Sequence, residues 1–319
     1  MRVTKTCFSW ISCIAVFVWH GIVLADNDPV ADSHTIMSHP NYTITMQGGL
    51  RRQEGTARER VYTGGRILSD LTWDIEDLLF AELGLHVSLG ENWTIQARYA
   101  EAISAGRGEM TNYDYLLPDV WTHFSDGEVD VNRAYMFDVH AGWTFWHDDP
   151  VDMQLLGGYR QLHWDWSQYG GNFIYSVNSF REFRGQFPAE QNGINYQQTF
   201  HIPYVGVGLS RDWQAISLGG YLHYSPLARA EGLDEHVLRN LFFTDTFSNV
   251  VYYAAGIELA YRFHPRGFVA GGWDWHRIPE TRGDTRITDL ADGTEERVDG
   301  GAGIANRAWS VSLSAGLQF

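Results

Sequence analysis

Residues 309–319 constrain this chain more than any other segment. Trp309, Val311, Leu313, Ala315, Leu317 and Phe319 alternate with Ser310, Ser312, Ser314, Gly316 and Gln318. Successive side chains of a strand point to opposite faces, so the pattern gives one apolar face and one face of small polar groups. A strand of about ten residues with that division suits a wall between lipid and a polar lumen. A soluble sandwich or propeller is the competing reading. No fixed-length repeat supports a propeller, and a sandwich leaves the terminal aromatic residue without a purpose.

Punctuation along the chain repeats the message. Short turns are expected at Gly90-Glu91-Asn92, His147-Asp148-Asp149-Pro150, Arg211-Asp212-Trp213 and His264-Pro265-Arg266-Gly267, each between alternating segments. Longer polar stretches at 107–132, 167–195, 229–246 and 281–303, with a shorter one at Thr63-Gly64-Gly65, lie between them. Four tight turns and five larger connections predict an all-β fold: a ten-stranded antiparallel transmembrane β-barrel with long extracellular loops and short periplasmic turns. The closing Phe319 resembles the assembly signal of bacterial outer-membrane barrels. The 17 Phe, 16 Tyr and 13 Trp residues suit interfacial girdles.

Export agrees with this. Arg2 and Lys5 precede an apolar run from Phe8 to Trp19, and Val23-Leu24-Ala25 offers small residues for cleavage before Asp26. Residues 1–25 are therefore expected to be a signal peptide and residues 26–319 the barrel. Cys7 and Cys13, the two cysteines, fall in the signal, so the mature chain is expected to lack disulfides and cysteine metal sites. The formal charge of −16 becomes more negative when Arg2 and Lys5 leave. Such a surface disfavours nucleic acid and favours cationic peptides as partners, although solubility alone also explains it.

His-Glu-x-x-His, Gly-x-Ser-x-Gly and phosphate-loop signatures are missing from the sequence. His163 beside Asp165 and His147 beside Asp148 lack a third ligand nearby, so no metal is expected. Asp234-Glu235-His236 and Asn112-Tyr113-Asp114 carry more weight. Residues two apart on a strand share a face, so Asp234 would project with His236 and Asn112 with Asp114. A carboxylate beside an imidazole orients the ring and raises its basicity, which suits a base that activates water. Asp-x-His is also a common chance pattern, and spacing alone does not establish catalysis.

Further matches extend from about Glu59 to Phe319. They include Glu59-Arg60-Val61-Tyr62, Gly65-Arg66, Gly170-Gly171-Asn172-Phe173-Ile174-Tyr175-Ser176, Phe180-Arg181, Gln186-Phe187-Pro188, Pro203-Tyr204-Val205-Gly206 and Gly301-Ala302-Gly303-Ile304. With Asp234-Glu235-His236, in this order, the chain resembles the omptin family of outer-membrane proteases. The resemblance implies an aspartyl-type endopeptidase on the cell exterior, acting as a monomer on cationic peptide or protein substrates. Asp234 would orient His236, and His236 would deprotonate a water held opposite by Asn112 and Asp114. The family keeps Asp-x-Asp there, so Asn112 replaces a carboxylate with an amide that can donate hydrogen bonds. A barrel that has lost catalysis and serves as an adhesin or peptide receptor is the alternative. A porin is less compatible with ten strands, whose lumen side chains can fill.

Recognition of basic residues in the family uses a first-strand Glu, matched by Glu59, and an acid two positions before the Asp-Glu-His aspartate. That second position is Gly232 here, and the adjacent Glu231 is the expected substitute. Glu59 could instead pair with Arg58 or Arg60. The family also needs lipopolysaccharide as an activator rather than a cofactor. Its Tyr-x-Glu-x-Arg pattern becomes Tyr159-Arg160-Gln161-Leu162-His163, and a further family arginine becomes Thr199. Tyr159 is therefore the expected lipid-binding residue.

Overall fold

The computed structural model describes residues 42–319; the expected signal peptide, its cleavage point and both cysteines lie outside the described residues. The strands are β1 (Tyr42–Thr63), β2 (Arg66–Leu89), β3 (Trp93–Ala102), β4 (Glu109–Asp114), β5 (His123–Asp148), β6 (Val151–Tyr169), β7 (Asn172–Tyr175), β8 (Phe183–Gln186), β9 (Asn192–Trp213), β10 (Ile216–His236), β11 (Leu241–His264), β12 (Gly267–Asp289) and β13 (Glu295–Gln318). β3 and β4 are two pieces of one wall strand, since both lie between β2 and β5. β7 and β8 form a hairpin outside the ring. The remaining order closes as ten antiparallel strands, with β1 joined to β13 from Thr45–Gln318 to Val61–Ala302. Closure satisfies the backbone of every wall strand, which a membrane demands because lipid offers no hydrogen bonds.

Side-chain alternation separates the two faces. Leu50, Leu85, Leu155, Leu209, Ile257 and Leu313 point outward and are exposed. Beside the short turns, Tyr42, Trp93, Trp146, Trp213, Phe263 and Phe319 form an exposed aromatic girdle. At the other end of the apolar belt stand exposed Arg52, Arg133, Arg229, Arg277 and Arg307. The lumen carries the opposite chemistry. Arg51 bonds Glu82 and Asp274, and Arg160 bonds Asp138, which also accepts from Tyr204. These buried charges are tolerable because each has an opposite partner at hydrogen-bond distance.

Two expectations about connections change in detail. The third short turn is centred on Gln214 and Ala215, while Arg211-Asp212-Trp213 remains in β9; Gln214 takes the left-handed conformation with φ of 46°. The long outward stretches are largely strand. β5 has 26 residues and β11 and β13 have 24 each, against about ten needed to cross a bilayer. Beyond the arginine ring both faces of the sheet meet polar surroundings, so the alternation that marks a strand in sequence fades. The backbone ladder continues without it.

Candidate active site

The site is built where five wall strands pass beyond the arginine ring. At the end of β10, Gly232, Asp234 and His236 face inward and are buried, whereas Glu231 faces outward and is exposed. His236 Nε2 lies 2.7 Å from Asp234 Oδ2, close enough for an ion pair but without good hydrogen-bond alignment. β1 contributes Glu59, which is buried with Oε2 unpartnered. Arg58 and Arg60 instead bond Asp70. β11 contributes Asp245, buried and directly opposite Gly232 in register.

Across the barrel mouth, Asn112 and Asp114 come from β4 and Ser69 from β2. Ser69 Oγ lies 2.8 Å from Asn112 Oδ1 and 2.7 Å from Asp114 Oδ1, and the Asn112 amide donates to Asp114 at 3.4 Å. One hydroxyl proton can serve only one of the two oxygens. The amide supplies a second donor, so this group holds together without the shared proton that two adjacent carboxylates would need. Asn112 and His236 line one cavity of about 60 Å³, with Ser125, Gln168, Tyr175 and Arg239 around it. That is room for several waters.

Local sequence explains the cover over this cavity. Gly171 has φ of 97°, and a Cβ there would stand 1.8 Å from the Asp126 carbonyl oxygen, so only glycine fits. The turn it permits launches the β7–β8 hairpin, which brings Tyr175 and Phe187 to the cavity. Glu182 ties the hairpin tip by accepting from the backbone N–H of Ser179 at 2.9 Å. Below the site, Trp73, Trp166 and Tyr196 stack with ring centroids 5.4–6.0 Å apart and close the lumen.

Electrostatics follow from this enclosure. Burial, opposed by the Glu59 charge, lowers His236 to about 4, so its imidazole is neutral at pH 7. Burial first, and the nearby Asp234 charge second, hold Glu59 well above the ordinary carboxylate range. Asp234 is also pushed up, to about 8, chiefly by burial. Burial pushes Asp245 up to about 7. Glu59, Asp234 and His236 each offer a ligand atom within 4.8 Å of the others, so this trio is the place among the described residues where a divalent metal could find three ligands.

The structure thus gathers Asn112, Asp114, Asp234, His236 and Glu59 around one mouth. It does not bring in Glu231, which sits across from Thr199 and Thr246 on the outer face; a shift of one residue along a strand reverses the side chain. Tyr159 is on the outer wall, where its hydroxyl meets His201 Nδ1 at 2.7 Å. His163 bonds Thr199 and His147 contacts Asp152, so neither keeps the sequence-adjacent acid as its partner. Sequence reasoning missed Ser69 and Asp245. Neither lies in a motif, and both reach the site only through strand register.

A closed barrel with an apolar outer belt and an aromatic girdle defines an integral outer-membrane protein, and its acid–imidazole group lies at the mouth opposite the short turns. The omptin family's sequence profile matches residues 40–319, and the chain belongs to this family of outer-membrane proteases. It is 28% identical over 284 residues to the outer membrane protease OmpP of Escherichia coli K12, covering 86% of this chain and 90% of that protein. It is 27% identical over 306 residues to the plasminogen activator of Yersinia pestis, covering 93% and 96% respectively. The crystal structure of the outer membrane protease OmpT from Escherichia coli superposes with a TM-score of 0.84 at 25% identity, covering 88% of this chain and 97% of that one.

Proposed function

We propose that this chain is an endopeptidase that cuts exposed peptides beside basic residues, with His236 as general base. Asp234 fixes the imidazole through Nε2, leaving Nδ1 to take a proton from a water in the cavity. The hydroxide so formed attacks the scissile carbonyl carbon, and the electron pair moves onto the carbonyl oxygen. Asn112 and Asp114 hold the water and substrate from the opposite side, and the Asn112 amide can donate to the developing oxyanion. The oxyanion's electron pair then re-forms the carbonyl, the C–N bond breaks, and His236 gives its proton to the leaving amine nitrogen. Glu59 faces the positive charge of the substrate. The supporting observation is the single cavity lined by both Asn112 and His236.

Lipopolysaccharide is the proposed activator. Its phosphates would meet the outer wall at Tyr159 and His201, with exposed Arg229 directly opposite His201 in register. Cleavage of an arginine-containing peptide library by refolded protein, with and without lipopolysaccharide, tests the reading. Wild type should cut, and His236→Ala should reduce kcat by about 10²- to 10⁴-fold. Equal rates for wild type and variant would remove His236 from the mechanism.

Asn112 gives the second reading, a peptide-binding barrel without catalysis. Asn112→Asp separates the two. Activity that appears only in this variant supports lost catalysis, and a wild-type rate within about tenfold of the variant supports a working amide–acid pair.

A further inference from the structure

A side chain at Gly232 would press against a residue of the neighbouring strand. A Cβ built on Gly232 would stand 3.3 Å from Asp245 Cβ and 3.5 Å from Asp245 Oδ2. Gly232 and Asp245 are direct neighbours across β10 and β11, and both are buried. The carboxyl group of Asp245 therefore lies in contact with the position a side chain at 232 would take, and Gly232 is two residues along the same face from Asp234.

Its surroundings lack a counterion. Asp245 Oδ1 has no hydrogen-bond partner, and neither does Glu59 Oε2. Among the described residues no arginine or histidine forms an ion pair with either group. The Asp245 charge lies near enough to raise the proton affinity of both Glu59 and Asp234. Two buried acids left incompletely bonded beside a hydrolytic pair are costly unless something satisfies them. A planar guanidinium, with several donors and a fixed positive charge, satisfies two carboxylates at once.

We propose that Asp245 is a specificity-determining residue, forming with Glu59 a two-carboxylate pocket for the arginine or lysine side chain next to the scissile bond. This deepens the endopeptidase reading and rests on it. The second acid is delivered from β11, and the glycine on β10 makes room for it. Glu231, despite its place in the sequence, has no part in the pocket.

The test uses two peptides identical except for arginine or citrulline before the scissile bond, which differ in charge but little in shape. Asp245→Asn should lower kcat/KM for the arginine peptide about 10- to 100-fold, mainly through KM, and change the citrulline peptide less than about threefold. The double variant Gly232→Asp with Asp245→Gly should recover most of the arginine preference, because the carboxylate returns from the neighbouring strand. Undiminished discrimination in Asp245→Asn overturns the proposal while leaving the endopeptidase intact. If wild type cuts neither peptide, the catalytic reading fails, and benzamidine titrated into the detergent-solubilised barrel still decides the pocket. Binding at least about tenfold weaker in Asp245→Asn supports it, and unchanged binding overturns it.

Discussion

His236 shows how far a single residue's chemistry is set by enclosure. Its ring is lowered to about 4, so the proposed base is already unprotonated over the ordinary working range. The acid limb of kcat is expected to fall near pH 4 to 5, below the range of a free histidine, in rate measurements from pH 3.5 to 8. Asp245 gives the opposite sign. A carboxyl raised to about 7 gains charge as pH rises from 6 to 8, so KM for arginine peptides should fall over that interval, with Asp234, raised to about 8, titrating alongside. A citrulline peptide measured in parallel should show no such fall. Asp234 and His236 were legible in sequence because residues two apart share a strand face. Asp245 was not legible, since its place beside Gly232 comes from folding back at Val237–Arg239, and no local pattern marks which residue lands opposite.

Among the elements, the β7–β8 hairpin carries the clearest consequence. Gly171 combines a positive φ with the approach of the Asp126 carbonyl, two conditions that a methyl group violates together. Gly171→Ala should displace Tyr175 and Phe187 from the cavity and cut activity at least about tenfold. The wall does not depend on this turn, so the heat-dependent gel mobility of the folded barrel should persist. Loss of folding would place Gly171 in the wall's stability rather than in the site's cover. The Gly-Gly-Asn-Phe-Ile-Tyr run advertised itself in sequence, yet the strands flanking it did not. Within lipid, alternation is enforced by one apolar and one polar surrounding. Above lipid, residues such as Ser125, Asp126 and Gln168 satisfy the same ladder with no pattern to read.

At the scale of the whole molecule, the belt, girdle and lumen act as separate layers. The ring of ten strands was recoverable because its lower turns are short and its lipid-facing residues apolar. The filling of the lumen was less so, because Arg51 finds Asp274 across 223 positions of chain. Paired charges and the Trp73–Trp166–Tyr196 stack obstruct the axis, so planar-bilayer recordings should show no steady conductance above bare lipid. A stable open channel of ion-passing size would contradict that account of the lumen.

The arginines at the upper edge of the belt also act as a ruler. Asp234 follows Arg229 by five positions on a continuous strand, which at roughly 3.3 Å per residue and the usual barrel tilt lifts the proposed cutting point about 12 Å above the headgroups. Scissile bonds hugging the bilayer surface would pass beneath the blade, whereas stalked domains and diffusing polypeptides present theirs at the right altitude.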